Sequence, residues 1–281
     1  MSAEIPNQVV RLTRVVSFSS GHRYWLANRS DEENQQLFGR WASPFNHGHN
    51  YVLSVTTTGQ VDPATGMVVN IKVIDDILRQ VVVDRFDQKS INDQVDGFQV
   101  QSPSVENLLL YIRSLLECAP LPVKLVGLKL EETPLLYGEW DARMPERTLT
   151  ITRLYEFAAA HRLHSQALGA AENVALFGKC NNLAGHGHNY VLEVTVGGEP
   201  DADTGMIVDI EALDRVVHAE VVDRFDHKNL NEDLPEFEGK NPTSEVVAIE
   251  IFKKLRDAVP AKLTRVRLHE TARNVFEISA D

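Results

Sequence analysis

The sequence predicts an α+β protein built from two tandem copies of one unit, each with two strands, two helices and two further strands. Three observations predict this fold class. Long segments recur at a constant offset, the strand segments alternate apolar and polar residues, and the helical segments repeat apolar residues every three or four positions. Each unit is therefore expected to form an antiparallel sheet with both helices on one face.

The repeat covers almost all of the 281 residues. The segment HGHNYVL occurs at 47–53 and again at 186–192, an offset of 139 that several other segments share. The offset falls to 138 by Glu132 and Glu270, so one residue has been gained or lost near the end of the unit. A period this long indicates a duplicated domain and not a solenoid.

The two predicted domains cover residues 1–138 and 146–281. Between them lies PLLYGEWDARMPER, residues 134–147, which has two prolines, mixed charge and no sustained apolar period. These features are typical of a linker.

The first two strands and the first helix of the unit each have a local signal in the second copy. TLTITRLYEFAAAHR is rich in β-formers at its start, and HNYVLEVTVGG alternates before a glycine turn. The first helix is predicted in DIEALDRVVHAEVVDRF, with Asp209 as its N-cap. Its buried face is predicted to be an apolar stripe of four residues, Ile210, Leu213, Val217 and Val221.

The second helix and the closing hairpin complete the unit. Asn241 is predicted as the N-cap with Pro242 at the first helical position, and Ser102 and Pro103 repeat this arrangement in the first copy. KLTRVRLHET and NVFEIS read as the last two strands. Four strands with unprotected edges predict association into a larger sheet.

Charge and composition exclude several classes of function. The formal net charge of −12 disfavours binding to nucleic acids or to anionic membranes. MSAEIPNQVVRLTRVVSF lacks the apolar region of a signal peptide, and no apolar stretch approaches the length of a membrane span. We therefore expect a cytoplasmic protein with a small-molecule partner.

Histidines form the clearest candidate site. His186 and His188 lie two residues apart on a predicted strand, so their side chains share one face, and His161 ends the neighbouring strand. Three imidazoles that leave a fourth position free are typical of a catalytic zinc. One His-Gly-His segment could occur by chance in a hairpin, but recurrence of all three residues favours a metal site. The counterparts in the first copy, candidate ligands of a second metal, are His22, His47 and His49.

Reactive side chains other than these histidines occur in the second copy. A thiolate at Cys180 could act as a base or nucleophile, and an imidazole oriented by a carboxylate, as in Asp226-His227, is a common way to activate it. The alternative is structural: Cys180 would be an incidental loop residue, and Asp226-His227 would cap a helix.

Several motifs in order resemble the 6-pyruvoyl-tetrahydropterin synthase family. They are FAAAHRL, LFGKCNNLAGHGHNY, DHKNLN, PTSE and LHET, and the resemblance runs through residues 148–279. Residues 9–138 resemble the same family less completely. The resemblance implies tunnelling-fold (T-fold) units whose sheets join into a barrel by oligomerisation. It also implies a zinc-dependent lyase that acts on 7,8-dihydroneopterin triphosphate and eliminates triphosphate, with Mg²⁺ assisting the elimination.

The resemblance assigns roles within the second copy. His161, His186 and His188 would bind Zn²⁺, which would hold the side-chain hydroxyls of the substrate. Cys180 would move the side-chain proton, with Asp226 and His227 as its relay partners. The substrate-binding residues would be Glu270, which anchors the pterin ring, together with Glu245 and Thr243.

The first copy lacks part of this chemistry. Trp41 stands opposite Cys180 and Gln88 opposite His227, and neither can accept a proton near neutral pH. The first copy does retain two of the acidic residues. Asp87 corresponds to Asp226, and Glu132 corresponds to Glu270, the expected pterin anchor. We interpret the first copy as a degenerate, non-catalytic unit in a homo-oligomer, expected to be a trimer of two-domain chains with six T-fold units.

Two other functions remain open. A 6-carboxy-5,6,7,8-tetrahydropterin synthase of the queuosine pathway would use the same substrate and also release acetaldehyde. The five residues NNLAG between Cys180 and His186 favour the pyruvoyl enzymes, since the carboxy enzymes typically have three. The second alternative is a metal- and pterin-binding protein without catalysis.

Overall fold

The computed structural model describes residues 8–280, which form two compact units. Of these residues, the first unit contains 8–151 together with Gly198–Ile207, and the second contains Thr152–Gly197 and 208–280. The sequence-based domain boundaries stay a prediction, because these units are defined by packing and not by the repeat. Within the described residues no helix is long and apolar enough to cross a membrane.

Within the described residues, both copies fold into the same series of elements except for the short helix α4 (Ile91–Gln94), which has no α-helical counterpart in the second copy. Those of the first copy are β1 (Val9–His22), α1 (Asp31–Phe38), β2 (His47–Gln60), α2 (Ile71–Leu78), α3 (Asp84–Phe86), β3 (Lys89–Ser90), α4 (Ile91–Gln94), α5 (Val105–Cys118), β4 (Lys124–Thr133) and β5 (Leu136–Asp141). Those of the second copy are β6 (Leu149–His161), α6 (Ala170–Phe177), β7 (His186–Gly198), α7 (Ile210–Val217), α8 (Asp223–Phe225), β8 (Lys228–Asn229), α9 (Ser244–Arg256), β9 (Lys262–Thr271) and β10 (Asn274–Ser279).

The strands of each unit follow one order. In the first unit it is β5-β4-β2-β1-β3, and in the second β10-β9-β7-β6, with β8 against β6. The expected purely antiparallel sheet needs a correction, because β3 runs parallel to β1 and β8 runs parallel to β6. Each short strand follows a helical segment that returns the chain to the sheet in the parallel direction. The sheets are therefore mixed.

The core of each unit forms where a long helix packs on the closing hairpin. Helix α5 contacts β4 and β5, and helix α9 contacts β9 and β10. On α9 the apolar residues Val247, Ile251 and Leu255 recur every three or four positions and are buried, while Leu268 is buried on β9. This packing fixes the start of α9, which carries candidate site residues, relative to the end of β9.

The predicted start of the first helix is confirmed. Asp209 is the N-cap of α7, and its side chain accepts a hydrogen bond from the backbone N–H of Glu211 at 2.9 Å. Of the four residues of the predicted apolar stripe, Leu213, Val217 and Val221 are fully buried, whereas Ile210 is only half-buried. The helix is not continuous, because a π-helical turn over His218–Val222 joins α7 to α8.

The predicted start of the second helix is wrong by two residues. Thr243, not Asn241, is the N-cap of α9, because its hydroxyl accepts a hydrogen bond from the first turn. The amide oxygen of Asn241 accepts a hydrogen bond from the His164 N–H instead, at 3.0 Å. In the first copy the N-cap is Ser104 and not Ser102.

Two further elements contradict the sequence-based description. The predicted linker contains a strand, β5, which pairs with β4. Helices α1 and α6 lie between the first two strands of each copy, where no helix was predicted. In α6 the apolar residues Val174 and Leu176 are 62% and 66% exposed, so the segment has no buried stripe that periodicity could detect.

The segment Gly198–Ile207 belongs to the first unit through hydrogen bonds to the start of α5. The Ser104 hydroxyl donates to the Gly205 carbonyl at 2.6 Å, and the Glu106 carboxylate accepts from the Ile207 N–H at 2.8 Å. Burial raises the pKa of Glu106 to about 7, although the hydrogen bond from Ile207 acts in the opposite direction. The first unit thus contains a buried carboxyl group that titrates close to neutral pH.

Candidate active site

Three histidines of the second copy converge at the end of two adjacent strands. His161 is the last residue of β6, and His186 and His188 lie near the start of β7, pointing to the same side. One ligand atom from each lies within 4.8 Å of the others, and Nε2 of His161 is 3.2 Å from Nε2 of His186. Two nitrogen ligands of a tetrahedral zinc lie roughly 3.3 Å apart. The spacing therefore fits a single ion.

The protonation of these histidines also fits a metal. Nδ1 of His161 lies 2.8 Å from the Pro242 carbonyl, so this nitrogen carries the proton and Nε2 keeps its lone pair. Burial lowers the pKa of His161 and of His188, which keeps both imidazoles neutral near pH 7. Nε2 of His188 is buried without a hydrogen-bond partner in the described structure. Neutral imidazoles with directed lone pairs are suitable metal ligands.

A glycine allows the chain to approach the triad closely. Gly185 has a φ of +69°, and a Cβ atom there would lie 3.0 Å from the carbonyl oxygen of His161. A side chain at this position would meet both backbone strain and a steric clash. The glycine before the His-Gly-His segment therefore helps to bring the start of β7 against the end of β6.

Glu270 lies beside the histidine triad and is held by two donors. The Ser244 hydroxyl donates to Oε1 at 2.6 Å and the Asn274 amide to Oε2 at 3.0 Å. Oε1 is also 3.8 Å from Nε2 of His188. Burial raises the pKa of Glu270, but these hydrogen bonds and the nearby histidines outweigh it, and the net pKa lies below the ordinary value. Glu270 is therefore an ionised carboxylate with a fixed orientation.

Asp226 and His227 form a hydrogen-bonded pair. Oδ2 of Asp226 lies 2.7 Å from Nδ1 of His227, and Oδ1 accepts from the Ala158 N–H at 2.7 Å. The hydrogen bonds from Ala158 and then from His227 lower the pKa of Asp226. The carboxylate thus holds the proton on Nδ1 and leaves Nε2 of His227 as the basic nitrogen. The imidazole is 84% exposed, and His227 and His188 line the same surface depression.

Cys180 lies in a different segment from the Asp226-His227 pair. It belongs to a 3₁₀ turn, Gly178–Asn181, which follows α6. Its carbonyl accepts a hydrogen bond from the Leu163 N–H at 2.8 Å, so the turn is attached to the chain just after His161. The thiol is free and half-buried. The structure therefore connects Cys180 to the strand end that carries the triad.

The two other predicted substrate-binding residues lie at the start of α9. Thr243 is half-buried and caps the helix, and Glu245 is exposed in the first turn. Their substrate-binding roles stay predictions. The sequence did not point to Ser244 or Asn274, since their function as partners of Glu270 depends on the packing of α9 against the closing hairpin.

One family of known proteins matches both copies. The family model described as 6-pyruvoyl tetrahydropterin synthase matches twice, at residues 11–142 and 150–281. Together these matches cover most of the chain.

The chain belongs to the 6-pyruvoyl tetrahydropterin synthase family.

Individual relatives align with about half of this chain. The 6-pyruvoyl tetrahydrobiopterin synthase of Homo sapiens is 42% identical over 126 residues, 44% of this chain and 87% of the relative. The Drosophila melanogaster enzyme of that name is 43% identical over 128 residues, 45% of this chain and 76% of the relative. The solved Caenorhabditis elegans 6-pyruvoyl tetrahydropterin synthase is 43% identical, covers 50% of this chain and 99% of its own, and gives a TM-score of 0.46.

A relative from Archaeoglobus fulgidus bears the provisional name 6-carboxy-5,6,7,8-tetrahydropterin synthase. It is 35% identical over 114 residues, 41% of this chain and 90% of the relative.

The first copy has three histidines at the positions that correspond to the triad of the second copy. His22 and His47 are directly paired across β1 and β2, and one ligand atom from each of His22, His47 and His49 lies within 4.8 Å of the others. Burial, followed by the neighbouring histidines, lowers the pKa of His22 to about 3, and burial lowers that of His49 to about 4. This triad therefore also consists of neutral imidazoles.

At the positions of Asp226, His227 and Cys180, the first copy has a similar backbone arrangement but lacks the imidazole and the thiol. Asp87 accepts a hydrogen bond from the Ser19 N–H at 2.8 Å, as Asp226 does from Ala158. Gln88 has a φ of +58°, matching the +57° of His227. The tryptophan that replaces Cys180, Trp41, is 38% exposed.

Proposed function

We propose that the second copy is a zinc-dependent 6-pyruvoyl-tetrahydropterin synthase that acts on 7,8-dihydroneopterin triphosphate and eliminates triphosphate. One observation carries this proposal: an ionised carboxylate, Glu270, lies 3.8 Å from His188 in a triad of imidazoles suited to a metal. A substrate anchored by its ring at Glu270 would place its side chain against the histidines.

Glu270 would recognise the aminopyrimidine edge of the pterin. That edge presents two parallel N–H groups, which match the two oxygens of a carboxylate. Ser244 and Asn274 fix the plane of the carboxylate before the substrate arrives, which reduces the entropy lost on binding. The role of Ser244 and Asn274 is therefore to position Glu270.

The metal would be held by His161, His186 and His188. When bound, it supplies Lewis-acid stabilisation of the negative charge that develops when a side-chain proton is removed. The Pro242 carbonyl fixes the tautomer of His161 and so directs Nε2 toward the ion. A triad from the protein leaves coordination positions for the substrate, as in other catalytic zinc sites.

Cys180 would remove the side-chain proton, and the Asp226-His227 pair would relay it. Asp226 keeps the proton of His227 on Nδ1, so Nε2 can accept a proton from the thiol or from the substrate. General acid–base groups of this kind contribute about 10²–10⁴-fold to the rate. Mg²⁺ at the triphosphate would assist departure of the leaving group.

The 6-carboxy product is the second candidate, because the relative from Archaeoglobus fulgidus bears that name. Two observations favour the pyruvoyl product. The relatives named as pyruvoyl enzymes are 42% and 43% identical, against 35% for the carboxy relative. Five residues also separate Cys180 from His186, the spacing that we associate with the pyruvoyl enzymes.

Mass spectrometry of the products tests this proposal. The zinc-loaded protein is incubated with 7,8-dihydroneopterin triphosphate, and Cys180→Ala is compared with Trp41→Ala as the matched control in the first copy. We expect 6-pyruvoyl-tetrahydropterin and triphosphate from the wild type and from Trp41→Ala, but not from Cys180→Ala. A 6-carboxy product with acetaldehyde would establish the alternative. Absence of turnover would leave a metal- and pterin-binding protein.

A further inference from the structure

The segment Gly198–Ile207 of the second copy packs directly on the start of α5 in the first unit. The Ser104 hydroxyl donates to the Gly205 carbonyl at 2.6 Å, and the Glu106 carboxylate accepts from the Ile207 N–H at 2.8 Å. Gly205 has a φ of +73°, and a Cβ atom there would lie only 2.0 Å from a side-chain atom in the first turn of α5. The glycine therefore permits this close approach.

Apolar contacts add to these hydrogen bonds. Met206 packs against a cluster of buried side chains beside α1, namely Tyr24, Leu26 and Phe38. Phe38 is only 3% exposed. A residue of the second copy therefore completes a hydrophobic cluster of the first unit.

The corresponding surface of the second copy is open in the single chain. At the offset of 139, Phe177 stands at the position of Phe38 but is only half-buried. The neighbouring residue of α6, Leu176, is 66% exposed. Glu245, at the position of the buried Glu106, is exposed at the start of α9. The second copy thus presents the same kind of surface without a segment that covers it.

Residues 59–68 of the first copy correspond to Gly198–Ile207 and make the same turn hydrogen bonds. Their methionine, Met67, is 45% exposed. Gly66 has a φ of +69°, yet within residues 8–280 a Cβ atom there would meet nothing closer than 4 Å beyond its chain neighbours. In the same range the Val68 N–H, at the position that donates to α5 in the other segment, makes no hydrogen bond. This segment therefore has the required conformation but no partner surface.

A charged pair indicates which copies match. On the first unit, Arg29 donates to Asp203 at 2.9 Å. In the second copy Leu168 stands at the position of Arg29, and in residues 59–68 the position of Asp203 is occupied by alanine. A contact between two second copies would place Asp203 beside Leu168, and a charge that loses water without gaining a partner is unfavourable. Each segment therefore matches the surface of the opposite copy.

We propose that residues 59–68 of one chain pack on α6 and on the start of α9 in the second copy of another chain. Met67 closes the apolar surface around Phe177, as Met206 does in the first unit. The Val68 N–H donates to the Glu245 carboxylate. First and second copies therefore alternate in the assembly.

The candidate active site then needs two chains. Glu245 directly follows Ser244, whose hydroxyl donates to Glu270 at 2.6 Å. A segment that covers Glu245 forms a wall beside the Glu270 carboxylate, and the first copy provides this wall without needing a thiol or an imidazole relay. The contact depends neither on a bound metal nor on the activity proposed for the second copy.

Photocrosslinking identifies the surface that residues 59–68 contact. The full chain carries p-benzoylphenylalanine in place of Met67, crosslinked chains are recognised by their doubled mass in denaturing electrophoresis, and mass spectrometry identifies the joined peptides. We expect crosslinks between chains to α6 or to the first turn of α9. The control has the same group in place of Val100, which is 64% exposed and lies outside the segment, and should not give these crosslinks. Crosslinks to α5 of another chain, or none between chains, would overturn the proposal.

The variant Ala64→Asp gives opposite results for the two possible arrangements. Beside Leu168 the new carboxylate has no cation, so the Kd for association of chains, measured by sedimentation over a concentration series, should rise at least about tenfold. Adding Leu168→Arg supplies the cation of the Arg29–Asp203 pair and should restore the Kd to within about threefold. The control Val100→Asp should leave the Kd unchanged. An unchanged or lower Kd for Ala64→Asp would contradict the proposal.

Hydrogen exchange of the unmodified protein covers the case in which these variants do not fold. The Val68 N–H has no acceptor within the described part of a single chain. In the assembled protein it should exchange within about tenfold of the rate of the Ile207 N–H, because both donate to a carboxylate at the start of a helix. Exchange of Val68 at the rate of an exposed loop would show that the segment is not covered.

Discussion

At the level of single residues, the two copies share a backbone conformation at a position where their side chains differ. His227 and Gln88 share a left-handed backbone conformation that is uncommon for residues other than glycine. The preceding aspartate of each accepts a backbone hydrogen bond from the neighbouring strand. Only the side chain that can accept a proton near neutral pH differs.

We predict that His227→Gln reduces turnover without disturbing the fold. Gln88 already occupies the same conformation in the first copy, so the backbone strain is unchanged, while the basic nitrogen is lost. The expected loss in kcat is about 10²–10⁴-fold, the usual contribution of a general acid–base group. Steady-state kinetics and the thermal midpoint are the measurements. The reverse change in the first copy, Gln88→His, is the control and should leave turnover unaltered; wild-type kcat in His227→Gln would contradict the relay.

Glu106 predicts a pH dependence of stability for the first unit. Its pKa rises from an ordinary value of 4.5 to about 7 on folding, mainly through burial. Between these values the folded state holds a proton that the unfolded state has released, so stability should fall as pH rises from about 4.5 to 7 and then level off. The shift corresponds to about 3 kcal/mol of unfolding free energy.

Urea unfolding of the first unit at pH 5 and pH 8 checks this dependence. The side chain introduced by Glu106→Gln cannot ionise. This variant should therefore lose most of the difference in unfolding free energy between pH 5 and pH 8. The exposed counterpart Glu245→Gln is the control and should retain the wild-type difference. If Glu106→Gln kept the full difference, another group would have to be responsible.

At the level of elements, α5 and α9 both begin with an N-cap that has a hydroxyl group, but the two hydroxyl groups make different hydrogen bonds. Thr243 caps α9 through the Val246 N–H. Ser104 caps α5 through the Asn107 N–H at 3.1 Å and also donates to the Gly205 carbonyl.

We therefore predict that Ser104→Ala destabilises its helix more than Thr243→Ala. Loss of a cap costs about 1 kcal/mol, and loss of a buried hydrogen bond adds about 1 kcal/mol or more. Hydrogen exchange of the first-turn amides of α5 and α9 measures the two effects separately. Equal loss of protection would show that the bond to Gly205 contributes no stability.

Local patterns predicted the elements whose signals lie within one segment. The apolar stripe behind Asp209 and the shared face of His186 and His188 needed only local periodicity, and the repeat needed only a comparison of the chain with itself. The motif Asn-Pro is typical of a helix start and therefore predicted Asn241 as the N-cap. In the structure the amide oxygen of Asn241 accepts a hydrogen bond from the His164 N–H instead. His164 lies far from Asn241 in the sequence, so no local pattern indicated this bond.

The residues that hold Glu270 show the same limit within the site. Ser244 and Asn274 are 30 positions apart and meet only through the packing of α9 on the closing hairpin.

At the level of the whole molecule, the two copies differ in their reactive side chains. The second copy has Cys180, the hydrogen-bonded pair Asp226-His227 and a Glu270 carboxylate with two side-chain donors. The first copy has a complete histidine triad, but Trp41 and Gln88 stand at the positions of Cys180 and His227. Family membership covers both copies, so the difference between them arises from substitutions within one shared framework.

The association of T-fold units into a closed barrel stays a prediction, and the size of the assembly tests it. We expect a trimer, with three times the 31.5 kDa mass of one chain. Size-exclusion chromatography with light scattering at several concentrations is the measurement, since a specific oligomer keeps its mass over a wide concentration range. A chain that remains monomeric at all concentrations would contradict the predicted barrel.

The segment Gly198–Ile207 also determines when the first unit can be completed during synthesis. The ribosome synthesises the chain up to Ile151 before it has made the segment that provides the partners of Ser104 and Glu106. At about 5–20 residues per second, translation from 152 to 207 takes roughly 3 to 11 s. During that interval Ser104 and Glu106, which are buried in the finished protein, lack the Gly205 carbonyl and the Ile207 N–H as partners. Although it emerges first, the first unit is completed only after translation of the second copy has begun.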